Sequence, residues 1–432
     1  MAEAGEASGS GAAASASVDA AVPAAGSGPP PAAEVPAPPP AAHAVGTRVL
    51  AALIVGQLGL HAAMAGLRMA TPLQALRMGA SAWTVGVLLA LFAAAPVLLA
   101  MYSGRLADRL GYHRPVRLAA SLALAGMAAA VLSTWLQGGW ATAAMCVAAM
   151  LTGSAANMGM LTIQRTAGLA ARDATERMRI FSWLGVAPSF SNVIGPVVTG
   201  LMIDATGFTG AYLLLLLLPL ATLYTARQVP VLPTTPASTH QGRRDAWGLL
   251  GAPGMKRLLA VNWLFSMCWD VHGFAVPVLG HERGFSASTI GFILGTFTLS
   301  VTAIRLLVPI LADSIEEIKV LGGAMIGTAL IFSAYPLATN PWVMGVCAAL
   351  LGITLGVAQP IIMTTLHHVT PDGRHGEALA FRSMAINTSS TLMPLLFGAL
   401  GSAAGAAALF WVVGGLVGGG AWLTRRVARV RT

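Results

Sequence analysis

Apolar runs of about 20 residues, the length that a helix needs to cross a bilayer, follow one another along most of the 432-residue chain. Short stretches rich in Gly, Pro and charged residues separate these runs. Because a helix satisfies its own backbone hydrogen bonds in lipid, each run predicts a membrane-spanning helix. The predicted spans are 48–69, 82–103, 115–135, 140–163, 180–203, 208–226, 257–280, 287–311, 318–338, 342–366, 379–401 and 404–424. The pattern therefore predicts an all-α membrane protein with twelve crossings.

The composition agrees with burial in lipid. Hydrophobic residues make up 56% of the chain and charged residues 9%, whereas soluble domains carry about 25% charged residues. The net charge of +9 does not indicate a nucleic-acid partner, because the bases fall in loops between apolar runs and indicate contact with the lipid bilayer. Cys146, Cys268 and Cys347 lie inside apolar runs without zinc-ligand spacing to histidine, so we expect no metal and no cofactor.

The basic residues are distributed unevenly between the two predicted sides. Of the 25 Lys and Arg residues, 21 fall in the segments, connections and span ends, on the side that holds both chain ends. The other side holds Arg68, Arg77 and Arg283, and Arg305 lies within a span. Because basic loops stay on the cytoplasmic side, we expect a multi-pass protein of the cell (inner or plasma) membrane with both termini in the cytoplasm.

Two segments rich in turn-forming residues mark the domain boundaries. Residues 1–46 consist mainly of Ala, Gly, Ser and Pro and predict a disordered cytoplasmic tail. The longest internal connection, 227–256, predicts a cytoplasmic linker. We therefore expect six-helix bundles at 47–226 and 257–426, followed by a short cytoplasmic tail at 427–432.

The two halves repeat each other at a constant offset of 205 residues. Pro72, Gly79, Ser81, Thr84, Gly86 and Phe92 recur as Pro277, Gly284, Ser286, Thr289, Gly291 and Phe297, and Leu106, Ala107 and Asp108 recur as Leu311, Ala312 and Asp313. Parallel repeats of this kind build transporters in which two pseudo-symmetric bundles hold a solute path between them.

The charged loop GRLADRLGYHR, residues 104–114, connects the second and third predicted spans. It resembles the signature loop of the major facilitator superfamily, and its matching residues are Gly104, Leu106, Ala107, Asp108, Arg109 and Gly111. Tyr112 and His113 stand where that family carries bases. The second copy keeps Asp313 but loses both glycines. The resemblance implies twelve helices in two six-helix bundles, with these residues as a gating motif.

Two further positions bear on the direction of transport. Gly195, Pro196 and Gly200 partly match a glycine–proline element found in the fifth helix of proton-driven exporters of that family, where they would permit close packing and a bend. Thr199 and Ser191 replace two of its glycines. The arginine that such exporters carry in the fourth helix is replaced here by Ala149, which argues against the usual proton-coupling arrangement.

Ionisable residues inside the spans are candidates for the path, because a charge facing lipid is unfavourable. Gln57, His61 and Arg68 share one face of the first span. His61 could carry a coupling proton or link helices, and Arg68 could face the path or extend towards the outer interface. Asp270 is the candidate protonatable carboxylate, or a structural partner of Arg305.

Other polar residues in the spans suit either hydrogen bonds to a solute or contacts between helices. They are Asn157, Arg165, Asn192, Asn262, Gln359 and Asn387.

These features predict a secondary active transporter that moves a small organic solute by alternating access. The chain has no phosphate-binding loop of the GxxxxGK[ST] type, so we expect an ion or solute gradient to drive it, with proton antiport and export favoured. An organic-anion or metabolite uptake carrier, or a uniporter, is the alternative that Arg68, Arg165 and Arg305 favour. A membrane sensor without transport is a more remote alternative. No catalytic constellation indicates an enzyme, and we expect a monomer.

Overall fold

The computed structural model describes residues 47–170, 174–231, 246–311, 316–371 and 375–428. Within these residues it contains eleven long helices and no strand, which confirms the all-α prediction. The helices are α1 Thr47–Arg77, α2 Ala82–Leu110, α3 His113–Ser133, α4 Gly138–Ala170, α5 Ala174–Ala226, α6 Met255–Glu282, α7 Ala287–Leu311, α8 Glu317–Ala334, α9 Pro341–Val369, α10 His375–Ala404 and α11 Ala406–Ala428. Short 3₁₀ helices lie at Ala246–Gly251 and Tyr335–Leu337. The chain divides into compact units 1–41 and 42–432, and every described residue belongs to the second.

The helix α5 is divided into two segments. At Gly207 its backbone leaves helical geometry with φ +78° and ψ −178°, a conformation that glycine adopts without a steric penalty. The segments 174–206 and 208–226 are therefore separate helical segments, and the eleven described helices provide the twelve segments that the sequence predicts as crossings. Nine described stretches are long and apolar enough to cross a membrane on these grounds alone, and the one at Trp183–Ala226 is long enough for two.

The helix α1 is longer than predicted. It continues to Arg77, so Arg77 is in its last turn rather than in a loop after residue 69. Its final turns are buried and carry Thr71 and Gln74, whose polar atoms have partners. Gln74 Oε1 accepts a 2.7 Å hydrogen bond from the Tyr212 hydroxyl, and its Nε2 donates to the carbonyl of Ser133 at 3.3 Å. Buried polar groups that are satisfied in this way allow the helix to continue past the apolar run.

The repeat in the sequence corresponds to a repeat in backbone geometry. Gly79 and Gly284, which follow α1 and α6, both have positive φ, at +80° and +70°. Gly86 of α2 lies against the carbonyl of Pro394 in α10, and the equivalent Gly291 of α7 lies against the carbonyl of Pro196 in α5. The halves therefore meet along two equivalent seams, α2 with α10 and α5 with α7.

The turns at Gly79, Gly138, Gly207, Gly284 and Gly405 all connect helices at one end of the bundle, called here the Gly79 end. The helices of both seams are in close contact near this end. The division into the exact domains 47–226, 227–256, 257–426 and 427–432 stays a prediction, because residues 232–245 and 429–432 lie outside the described structure.

Candidate functional site

Between the two halves lies a polar cavity of about 330 Å³, called here the central cavity. Residues of α1, α5, α6, α7, α9 and α10 line it. The lining includes the predicted path residues Arg68, Asn192, Asp270, Arg305 and Gln359. Serine, threonine and aromatic side chains, including Ser189, Ser390, Thr298, Thr302, Phe265 and Trp269, complete the wall.

An ion pair between the two halves crosses this cavity. A guanidinium nitrogen of Arg68 on α1 lies 3.8 Å from a carboxylate oxygen of Asp270 on α6. The side chain of Asp270 is 3% exposed and that of Arg68 is 30% exposed. Asp270 is therefore paired with Arg68, and the suggested pairing with Arg305 was wrong. The two groups attract each other, but their separation exceeds hydrogen-bond range.

Two serines of α10 hold the carboxylate of Asp270. Ser389 Oγ donates to Oδ2 at 2.8 Å, and Ser390 Oγ donates to Oδ1 at 3.1 Å. Hydrogen bonds to a charged group are the stronger kind, so the serines, rather than Arg68, fix the orientation of the carboxylate. Sequence reasoning did not select these serines, although they lie two and three positions after the selected Asn387 in the polar run NTSS.

Arg68 lines two further cavities next to the central one. A cavity of about 220 Å³ contains His61, Asn157, Asn387 and Ser390 in its wall. A smaller one of about 80 Å³ contains Asn192, Trp269 and His272. Arg68 is thus common to all three cavities, and a movement of its side chain would change the polarity of each.

Some predicted path residues lie away from these three cavities. Gln57 is 2% exposed and its Nε2 lies 3.4 Å from the carbonyl of Leu184 in α5. Asn262 is fully buried in α6, and its side-chain oxygen and nitrogen have no hydrogen-bond partner within the described residues. Arg165 lies half-buried near the end of α4. None of the three lines a cavity described here, so their assignment to the path stays a prediction.

The predicted gating motif lies at the other end of α2 and is described only in part. The surroundings of Gly104, the side chain of Asp108 and the whole of Asp313 lie outside the described structure. Arg109 is exposed, and Leu106 packs against the cluster around Leu60 and Ala119. Gly111 ends α2 with φ +67°, a conformation that favours glycine.

The glycines of α5 mediate close packing. Helical geometry continues through Gly195 and Pro196, and the break in α5 lies at Gly207. Gly195 lies against α1, where an added Cβ atom would be 3.0 Å from the carbonyl oxygen of Ala62. A Cβ atom at Gly200 would overlap the carbonyl of Ala287 in α7. The bend expected at Gly195, Pro196 and Gly200 stays a prediction.

Asp204 joins the halves at the Gly79 end. Its carboxylate accepts hydrogen bonds from the backbone N–H groups of Ala287 at 3.0 Å and Ser288 at 2.7 Å, at the start of α7. Arg77 lies 3.9 Å from the same carboxylate. In the other seam the N–H group of Trp83, at the start of α2, donates to Ser402 Oγ at 3.0 Å.

These two contacts are equivalent under the repeat. Trp83 and Ser288 are 205 residues apart, and Asp204 and Ser402 are 198 apart, as are Pro196 and Pro394. Sequence reasoning missed this arrangement because it compared only the first helices of each half. An acid at the end of a span, facing a Ser-rich helix start, was the available signal.

The sequence of this chain is similar to those of known membrane transporters. A family model described as Major Facilitator Superfamily matches residues 53–263 and 258–431. The enterobactin exporter EntS of Escherichia coli O1:K1 is 25% identical over 342 residues, which cover 78% of this chain and 81% of the exporter.

Solved structures share the fold at low sequence identity. A mutant of the nucleoside transporter NupG has a TM-score of 0.70 and 12% identity, covering 88% of this chain and 99% of its own. A POT family transporter in complex with a thioalcohol-conjugated peptide has a TM-score of 0.69 and 13% identity, covering 86% and 94%. The human organic anion transporter MFSD10 has a TM-score of 0.57 and 18% identity, covering 87% and 99%.

Proposed function

Because this chain belongs to the Major Facilitator Superfamily of membrane transporters, we propose that it exports a small organic solute by alternating access in exchange for protons. The ion pair of Arg68 with Asp270 carries this proposal, because it connects the two halves inside the cavity that lies between them. The name of the E. coli relative supports export over uptake. The chain acts as a monomer in this proposal, since one chain forms the whole cavity.

The conformation supports an inward-facing assignment. The close contacts of α2 with α10 and of α5 with α7 described above lie at the Gly79 end, which the distribution of basic residues places outside the cell. The central cavity lies on the other side of these seams. We therefore assign the structure to the state in which the outer side is closed, in the cell membrane with both termini in the cytoplasm.

Protonation of Asp270 is the proposed coupling step. The ionised carboxylate attracts Arg68 across the halves and accepts hydrogen bonds from Ser389 and Ser390. A proton on Asp270 removes the attraction and releases Arg68 to bind solute or to move with its own half. A ligand shifts the equilibrium between two conformations only by the difference in its affinity for them. The proton must therefore bind the two conformations with unequal affinity, and the ion pair provides that difference.

The test is flux in proteoliposomes with and without a pH gradient, against a panel of amphiphilic cations, sugars and carboxylates. Wild-type protein should move at least one solute faster when the gradient is present. Asp270→Asn should abolish the response to the gradient but retain exchange of solute for solute. The matched control is Glu316→Gln, which changes an exposed acid outside the cavity and should behave as wild type. Gradient-driven flux that survives in Asp270→Asn would rule out Asp270 as the coupling group.

The sign of the flux separates the two directions. In export by proton exchange, the solute moves in the direction opposite to the protons. In proton-coupled uptake, solute and protons move in the same direction. A uniporter moves the solute in either direction, down the concentration gradient of the solute, and does not respond to a pH gradient.

A further inference from the structure

Among the described residues, the central cavity has more positive than negative charge. Arg68, Asp270 and Arg305 are the charged side chains in its lining, and Asp270 is paired with Arg68. Arg382 of α10 reaches the same wall by donating to Oε1 of Gln359. The positive charge of Arg382 repels the positive charge of Arg305. Within the described part of the chain, no carboxylate forms an ion pair with Arg305 or Arg382.

The same two arginines have unused hydrogen-bond donors. Nε of Arg305 and Nε of Arg382 are buried, and neither has an acceptor within the described residues. Buried donors are nearly always paired, because an unpaired one loses its hydration without replacement. A guanidinium presents several donors in one plane, which match the oxygens of a carboxylate, phosphate or sulfonate. Two neighbouring guanidiniums whose Nε donors have no acceptor within the described residues therefore favour an anion as their ligand.

The fold itself does not require these charges. Arg305 is equivalent to Ala100 at the offset of 205, and Arg382 is equivalent to Leu184 at the offset of 198 that relates α5 to α10. The N-terminal half builds the same helices with apolar residues at both positions. Two half-buried arginines in one half alone are consequently better explained by a ligand than by packing.

We infer that Arg305, Arg382 and Gln359 bind the negatively charged group of the transported solute, which is therefore an organic anion. This inference rests on the proposed transport function. Phe265, Trp269 and Leu355 line the same cavity and would contact the apolar part of the solute. Because Asp270 lies in the same wall, solute and proton occupy adjoining sites.

Thermal unfolding of the purified full-length protein in a neutral detergent tests the inference. The probes are sulfate, phosphate, benzoate and benzenesulfonate, with benzamide as the neutral counterpart of benzoate and sodium chloride keeping ionic strength constant. At least one anion should raise the unfolding midpoint saturably, by about 3 °C, whereas benzamide should not. Arg305→Gln combined with Arg382→Gln should lose this rise, and Arg117→Gln, an exposed arginine of α3, should keep it.

Two single variants refine the result. Arg305→Lys retains the charge but not the planar donors, so its anion affinity should fall by roughly tenfold. Arg305→Gln alone should lose most of the rise, which keeps the test valid if the double variant does not fold. The inference is overturned if no anion stabilises the wild type, if the double variant is stabilised equally, or if only phosphatidylglycerol added to the micelle has the effect. The last outcome would assign the arginines to a lipid headgroup.

Flux measurements distinguish this inference from the transport proposal. Transport of a neutral solute that is unaffected by the double variant would contradict the anion site and leave transport in place. Anion-dependent stabilisation without any flux would support the anion site and contradict transport.

Discussion

Tyr112 illustrates how one side chain can change the role of a loop. It lies between α2 and α3, is 4% exposed and packs in an apolar cluster with Ala52, Val116, Ile163 and Leu184. Its hydroxyl has no hydrogen-bond partner within the described residues. Burial raises the pKa of this hydroxyl above its usual value, so the group is neutral at physiological pH. Tyr112 therefore contributes apolar packing, although the family motif that this loop resembles carries a base at the same position.

Substitutions at Tyr112 should separate its ring from its hydroxyl. Tyr112→Phe removes an unpaired buried hydroxyl, so the free energy of unfolding should stay unchanged or rise by up to about 1 kcal/mol. Tyr112→Arg should lower it by several times that amount, since it places a charge among apolar side chains. Thermal unfolding in detergent measures both, with His113→Arg at the half-exposed neighbouring position as the control. A clear loss of stability in Tyr112→Phe would show that the hydroxyl has a partner.

Sequence reasoning identified Asp270 from the cost of a charge in lipid, but it could not identify the partner. Arg68 is 202 positions away, and only the packing of the two halves brings the groups within 3.8 Å. The shared helical face of Gln57 and His61 was also an incomplete guide. Gln57 lies against α5, whereas His61, one turn later, lines a cavity. Periodicity identifies a face, but neighbouring helices determine which part of that face is open.

At the scale of elements, small residues set the distance between the halves. Gly86 and Gly291 lie in equivalent positions of α2 and α7, each against a proline carbonyl of the opposite half. Each seam also contains a second glycine on the opposite helix. A Cβ atom added at Gly398 would lie 3.0 Å from the carbonyl oxygen of Ala82, and one added at Gly200 would overlap the carbonyl of Ala287. The missing side chains allow the backbones to approach, as in other membrane helix pairs.

Adding one methyl group at these glycines should weaken the closed end. Gly86→Ala and Gly291→Ala each place a Cβ atom on a carbonyl oxygen of the other half, so each should reduce stability by about 1–3 kcal/mol. Gly345→Ala in α9 is the matched control, since nothing lies within 4 Å of its added Cβ atom. It should be neutral or stabilising by up to about 1 kcal/mol, because alanine favours helix over glycine. Equal midpoints for all three variants would contradict close contact at the seams.

Helices and their order were predictable, but their lengths were not in every case. The apolar runs predicted all twelve helical segments, because lipid requires long apolar helices. The run of α1 ended too early, since Thr71 and Gln74 made the sequence polar while tertiary hydrogen bonds kept the helix intact. The repeat in Pro72, Gly79 and Gly86 predicted the equivalence of the halves, and the backbone angles agree with it.

At the scale of the whole molecule, the hydrogen bonds at the Gly79 end hold one of two alternative arrangements. Asp204 satisfies two N–H groups at the start of α7 and attracts Arg77, while Ser402 satisfies one at the start of α2. In the proposed alternating-access cycle these groups must separate before the Gly79 end can open. The Asp204 contacts therefore favour the conformation in which the Gly79 end is closed, by the free energy that such helix capping contributes.

Asp204→Ala should shift the molecule towards the opposite conformation. Loss of a helix-capping carboxylate costs about 1 kcal/mol, which corresponds to a change of about fivefold in the ratio of the two states. Nitroxide labels at Met78 and Ala403, one in each half at this end, would report the change as a larger population of long distances in pulsed electron resonance. Asp204→Asn should have a smaller effect, since its amide oxygen can still accept one hydrogen bond. Identical distance distributions for wild type and Asp204→Ala would rule out this role.

The exchanged caps make each half incomplete without the other. The first turn of α7 depends on a carboxylate from the N-terminal half, and the first turn of α2 depends on a hydroxyl from the C-terminal half. A chain cut between residues 231 and 246 and produced as two fragments would have bare amide groups in each piece until the pieces meet. Reassembly of co-produced fragments would restore both contacts.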